Sequence, residues 1–435
     1  MGTTLPTDQI DAMLARLAAA QAEHTAWYPG ESGARQPVHT VYGGAHLFKS
    51  TTAAKLGELA LKALDEHAPD AATFAAAIGL EAPDDVVETM YGRVLHKLQR
   101  EPIEDFRIDF EDGYGNRPDD EEDGHARAAA AQVAAGMKAG SLPPFIGIRI
   151  KPLTEELGAR SIRTLDVFTT ALAEATGGEL PANFVVTLPK ITSDEHVAVL
   201  TDLFDALEPK LGIATGALGI ELMIETTQSI MGRDGRSSLP LFLAAARGRC
   251  VAAHFGTYDY TASCNITAAH QHMTHSSCDF ARHMMQVAYA GTGIWLSDGA
   301  TNIMPVGDRE SVHEAWRLHV QHIWHSLTNG YYQGWDLHPA QLPTRYGAVY
   351  AFFLEALDAA SERLTNFIAK AAQATLVGDV FDDAATGQGL LNFFLRGVSC
   401  GAIKEEEALA TGITLEELRG RSFVKILANR KGTTG

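Results

Sequence analysis

Cysteine is scarce. The 435 residues hold four, Cys250, Cys264, Cys278 and Cys400, with no CxxC pair. Neither a zinc ribbon nor a disulfide framework is indicated, and a reduced, cytoplasmic setting is expected. No stretch approaches the roughly 20 apolar residues of a membrane span, and the first thirty residues lack the basic start and apolar run of a signal peptide. Positive charge is in deficit as well: 35 Lys plus Arg stand against 54 Asp plus Glu, a formal net charge of −19. A nucleic-acid groove or an anionic membrane would repel such a chain, so neither is an expected partner. A small anionic substrate is admissible if its site carries a local cation. The motifs GxGxxG, GxxxxGK and HExxH are missing, which leaves nucleotide-phosphate cradling and zincin chemistry without support.

What the chain does have is alternation. Ala-rich helical stretches alternate with short apolar and β-branched runs at Val38 to Tyr42, Phe106 to Phe110, Phe145 to Ile150, Phe184 to Leu188, Ile220 to Ile224, Cys250 to Phe255, Ile294 to Leu296 and Gly334 to Leu337. Eight such strands with helices between them predict an α/β fold, a (β/α)8 TIM barrel, with an open doubly wound sheet as the alternative. Residues 1–35 read as an N-terminal helix and 36–344 as the barrel, with a helical insertion at 65–104. Residues 345–435 read as a C-terminal helical extension, because no Pro/Gly/Ser linker separates them.

Polar residues follow many different strands, which is how a barrel assembles an active site. Asp109, Glu111, Asp112, His254, Gly256, Thr257 and His338 are therefore candidate substrate-binding residues. Glu225 and Asp259 form a candidate metal site, since two carboxylates completed by water and substrate oxygens suit Mg²⁺, with Mn²⁺ as the alternative. Arg149, inside FIGIRIKPL, fits either a bidentate grip on a substrate carboxylate or an interior ion pair with Asp109 or Glu111. Lys190 is a second candidate cation. The acidic run Asp119 to Asp123 is expected to cap a helix N-terminus. His270, His272, His275 and Cys278 do not follow an established zinc spacing, and His275, like His254, is a candidate for substrate contact.

These motifs together resemble a known group. Asp109-Phe110-Glu111-Asp112-Gly113 is similar to the acidic second-strand motif of citrate lyase beta-subunit-like enzymes and malate synthases, and Ile148-Arg149-Ile150-Lys151-Pro152 to the substrate-arginine strand of malate synthases. Leu188-Pro189-Lys190, Ile224-Glu225-Thr226, Gly256-Thr257-Tyr258-Asp259-Tyr260 and Gly334 to Gln341 continue the likeness in order. The chain thus resembles the citrate lyase beta-subunit-like, HpcH/HpaI aldolase superfamily, related to malate synthases, as a separate branch of it. The resemblance implies a barrel of the pyruvate/phosphoenolpyruvate-binding type, Mg²⁺ on Glu225 and Asp259, and a keto-acid carboxylate near Arg149. It further implies carbon–carbon lyase or aldolase chemistry on a small 2-keto or 3-hydroxy carboxylic acid, in some members a CoA thioester, and a homo-oligomer. Val377 to Ala384 resembles the region that supplies a general base, making Asp382 or Asp383 the candidate, against a helix-capping role. The alternatives are a Claisen condensation of the malate synthase kind and a non-catalytic barrel that binds a metal and a metabolite.

Overall fold

The computed structural model describes residues 4–369, 375–377, 380–382, 384–420 and 426. Eight parallel strands close into a barrel in sequence order: β1 His39–Gly44, β2 Asp105–Asp109, β3 Phe145–Arg149, β4 Phe184–Leu188, β5 Gly219–Ile224, β6 Cys250–Phe255, β7 Trp295–Ala300 and β8 Gln333–Asp336. Strand β8 returns to β1 through His39 opposite Gly334 and Val41 opposite Asp336, which seals the cylinder. The fold is the (β/α)8 barrel that the alternation predicts.

Strand composition explains which face goes where. In β2 the alternation Phe106, Arg107, Ile108, Asp109 sends the apolar pair outward, where Phe106 meets Phe48 and Ile108 joins the core cluster under the helices. Arg107 and Asp109 turn inward, Arg107 finding its partner across the barrel on β5 and Asp109 on the neighbouring strand β3. Period-two alternation produces this sorting, but the inner face is unusual. Where such barrels are commonly packed with Val, Ile and Leu, this one carries Thr40, Asp105, Arg107, Thr187, Glu221 and Gln333, all buried.

The first connection is enlarged by helices Thr52–His67, Ala71–Ile78 and Asp84–Arg100, the last of which packs on the long helix Leu342–Ala369. A short antiparallel pair, β9 Thr375–Val377 and β10 Val380–Asp382, precedes the helix Ala384–Cys400. The acidic run opens the helix Asp119–Ala139 as expected. Two of its acids do more than favour the helix dipole: buried Glu122 accepts from Lys151 at 2.8 Å, and Asp123 accepts from Arg160 at 2.5 Å, clamping this helix to Gly158–Thr176.

Gly147 marks a tight point in the wall, because a Cβ there would collide with the Val185 carbonyl. Gly147→Ala is expected to lower the thermal unfolding midpoint by several degrees, consistent with the roughly 1–3 kcal/mol typical of overpacking; an unchanged melting curve would contradict this packing.

Candidate active site

At the carboxyl ends of β2 to β6 the chain assembles a cluster of charges. Arg149 ends β3 and is 4% exposed. Its Nε and Nη2 donate to the two carboxylate oxygens of Asp109 at 2.7 and 2.6 Å, a bidentate pair. Burial opposes ionisation of Asp109, but the guanidinium wins and holds its carboxyl below the usual range. The rings of Tyr42 and Trp335 lie 4.8 and 6.0 Å from the guanidinium, an aromatic platform that fixes its plane. The interior ion pair foreseen for Arg149 is therefore present. Its remaining Nη1 lies 3.0 Å from Glu111 Oε2, yet that oxygen makes no properly aligned hydrogen bond among the described residues. A substrate carboxylate that displaced Glu111 would meet a guanidinium already held in place.

Lys190, just beyond β4, adopts a left-handed backbone with φ of +50°. In this conformation its N–H donates to Glu225 Oε1 at 2.7 Å, while Nζ pairs with Glu111 and lies 3.3 Å from Asp112 and 3.6 Å from Asp259. A non-glycine residue in this region is uncommon and strained; here the charge contacts on both sides accompany it. Burial works against the ammonium, but Glu225 and Glu111 outweigh burial and raise its pKa. Glu225 itself is 2% exposed and its carboxyl is pushed up to about 8, by burial first and then by the charges of Asp259 and Glu111, against the opposing pull of Lys190.

Glu111, Asp112, Glu225 and Asp259 thus outnumber the cations Lys190 and Arg149 that face them. This oxygen-only set fits a hard divalent cation. Among the described residues no three His, Cys, Asp or Glu side chains are grouped to hold a metal by themselves. The fit is to an ion that keeps water or substrate oxygens beside two protein carboxylates. Gly256 permits the approach of β6, since a Cβ there would come within 2.6 Å of Glu225 Oε2. Gly256→Ala is accordingly expected to shift the Glu225 carboxylate and weaken Mg²⁺ binding measured by calorimetry at least about fivefold, roughly 1 kcal/mol; wild-type affinity would refute the contact.

The remaining candidates are distributed differently. Thr257 starts the short helix Thr257–Ser263 that carries Asp259, and its hydroxyl donates to Met273 Sδ at 3.2 Å. His254 was expected near the mouth, but it is fully buried within the barrel, with Nε2 2.9 Å from Glu221 and Nδ1 3.3 Å from Trp335 Nε1. It shares the inward phase of β6 with Ala252, and Glu221 lies four residues below Glu225 on β5, roughly 13 Å deeper by strand rise. His338 is also outside the cluster: Nδ1 accepts from the Ala340 N–H at 3.1 Å, capping the turn Pro339–Gln341. His275 caps the helix Ser276–Tyr289 by accepting from the Ser277 N–H at 3.1 Å. Asp382 pairs with Thr375 through the β9–β10 backbone. The side chain of Asp382 and all of Asp383 lie outside the described residues.

Sequence reasoning missed Tyr42 and Trp335 as the platform under Arg149. It also missed the layer of Asp105, Arg107 and Glu221 beneath. The signal was available in the alternation of β2, where an arginine between Phe106 and Ile108 has to face inward.

A citrate lyase from Burkholderia xenovorans LB400 has a similar structure, with a TM-score of 0.57 at 20% identity, over 74% of this chain and 92% of that one. Malate synthase of Haloferax volcanii, in a magnesium/glyoxylate complex, aligns over 90% of this chain and 96% of its own, with a TM-score of 0.44 at 13% identity. No curated protein matches the sequence. A family described as a domain of unknown function matches residues 17–426, nearly the whole chain, and the protein therefore belongs to the DUF6986 family.

Proposed function

We propose that this chain is a Mg²⁺-dependent carbon–carbon lyase of the aldolase type, acting on a small 2-keto or 3-hydroxy carboxylic acid. The observation that carries the reading is the meeting of Glu225, Asp259, Lys190 and Arg149 at one barrel mouth. Glu225 and Asp259 would hold the ion. When bound, it would stabilise negative charge on the oxygens of the enolate that forms as the carbon–carbon bond breaks.

The protein's own groups divide the remaining work. Arg149, fixed by Asp109 and by the rings of Tyr42 and Trp335, receives the substrate carboxylate as Glu111 is displaced. Lys190 supplies the adjacent positive charge and lowers the local cost of bringing an anion into an acidic protein. Asp382 or Asp383 is the proposed base, taking the proton from the substrate hydroxyl in the cleavage direction. The chain is further proposed to act in the cytoplasm as a homo-oligomer, and its relationship to the HpcH/HpaI aldolases belongs to the same proposal.

Incubation with a panel of 3-hydroxy acids, free and as CoA thioesters, tests the function. Release of pyruvate, oxaloacetate or a similar keto product, dependent on Mg²⁺ and abolished by EDTA, is the expected result. Condensation of an acyl-CoA with a keto acid would assign the malate synthase-like reaction instead, and silence across the panel with retained Mg²⁺ binding would favour a non-catalytic barrel. Arg149→Lys is expected to raise KM for the carboxylate substrate at least about tenfold, because a point charge cannot replace the planar fork; an unchanged KM would remove Arg149 from substrate binding.

A further inference from the structure

A deep hollow is at the opposite pole from the charged mouth. It is a cavity of about 830 Å³ that enters between the amino ends of the strands and reaches Asp105, Arg107 and Glu221. Its origin is visible in the sequence. Gly219 and Ala252 line it where bulky residues commonly fill such barrels.

The end wall of this cavity is charged. Asp105, Arg107 and Glu221 are each at most 3% exposed, and the two carboxylates face one guanidinium and the His254 imidazole. Arg107 is fully engaged, bonding Asp105, Glu221 and Thr187. Glu221 also accepts from Thr187 at 2.6 Å and lies 2.9 Å from His254. Asp105 is less occupied: one oxygen takes Arg107 and the other accepts from Thr40 at 2.8 Å, leaving acceptor capacity on both. Burial and the Glu221 charge hold its carboxyl above the ordinary value, against the pull of Arg107. At the rim, Arg249 is claimed by Glu208 and Asp205. In the wall, the indole Nε1 of Trp295 is buried with no hydrogen-bond partner among the described residues, and a buried N–H of this kind calls for an acceptor.

We infer that this cavity is a second ligand site, for a small primary amine with an apolar body and a neighbouring oxygen. The ammonium is placed at Asp105, whose two oxygens each take only one side-chain donor, and the oxygen accepts from Trp295. The apolar body lies along Phe145 and Val185. The site is separate from the proposed catalytic mouth and does not rest on that function.

Calorimetry on the full chain with three probes tests it: phenylalaninol, N-acetylphenylalaninol and phenylacetate. Binding of phenylalaninol at least tenfold tighter than of the other two is expected, with Asp105→Asn weakening it at least tenfold. Ala252→Leu, which fills the cavity from the β6 position opposite Glu221, is expected to abolish binding while Mg²⁺ affinity stays at the wild-type value, and it decides the matter if Asp105→Asn fails to fold. No phenylalaninol binding, equal binding of phenylacetate, or phenylalaninol affinity untouched by Ala252→Leu would each overturn the site.

Discussion

Calorimetric titration of Glu225→Gln and of Asp259→Asn with Mg²⁺ is expected to show no measurable binding, and the proposed keto-acid-forming activity of each is expected to fall by at least about a hundredfold. The reasoning rests on charge. Glu225 is buried beside Asp259 and Glu111, and these neighbours together with burial raise its carboxyl to about 8. Such an arrangement is unfavourable for the protein alone and becomes favourable with a cation present. Neutralising either carboxylate removes both a proposed ligand and the charge that would favour the ion. The two variants should not be destabilised, because each removes like-charge repulsion, and an equal or higher unfolding midpoint is the accompanying expectation. Undiminished Mg²⁺ affinity in both variants would eliminate this site, whatever happens to activity. Loss of activity with intact Mg²⁺ binding would instead separate the residues' catalytic part from metal binding.

The second large effect concerns stability. Asp336, at the end of β8, is fully buried and accepts from Arg345 at 2.9 Å, with His39 Nδ1 at 2.9 Å and His319 Nε2 at 3.1 Å. His39 Nε2 accepts from the Glu104 N–H at 3.1 Å, so Nδ1 carries the proton that is donated to Asp336. Asp336→Ala would leave the guanidinium of Arg345, 5% exposed, without its carboxylate. Breaking a buried pair in this way costs about 3–5 kcal/mol, so urea unfolding should move to clearly lower denaturant, and a shift below about 1 kcal/mol would contradict the geometry. The pH dependence has a fixed sign. Burial opposes ionisation, but Arg345, His319 and His39 hold the Asp336 carboxyl well below the ordinary value. Its contribution is present above the unfolded pKa, about 4, and is lost as pH falls through the lower folded pKa. Wild type should therefore lose stability on acidification more steeply than Asp336→Asn.

Much of the barrel was legible because its signals are local. Short apolar runs at Phe184 to Leu188 and Cys250 to Phe255 coincide with β4 and β6, since alternation and composition act within a few residues. Asp109, Glu111, Arg149, Lys190, Glu225 and Asp259 were legible as strand-end groups, and they come together because parallel strands put all their carboxyl ends on one side. His254 and His338 were misplaced by the same reasoning. Being near a strand end does not decide which way a ring turns, and Glu221 and the Ala340 N–H, respectively, draw these two rings elsewhere.

The sequence by itself determined the period, number and order of the barrel strands, and with them the ring of polar residues at the mouth, because these depend on neighbours close along the chain. Only the tertiary structure decided that Arg149 is clamped by Asp109 and held over Tyr42 and Trp335, that Glu225 is buried against like charges, and that small residues leave a hollow at the other pole. Those outcomes depend on burial and on partners many residues away, such as Asp109 and Arg149, which meet only when adjacent strands are brought into register. The scarcity of positive charge is resolved in the same way: closure of the barrel sets two buried or half-buried cations, Arg149 and Lys190, among the carboxylates of one mouth.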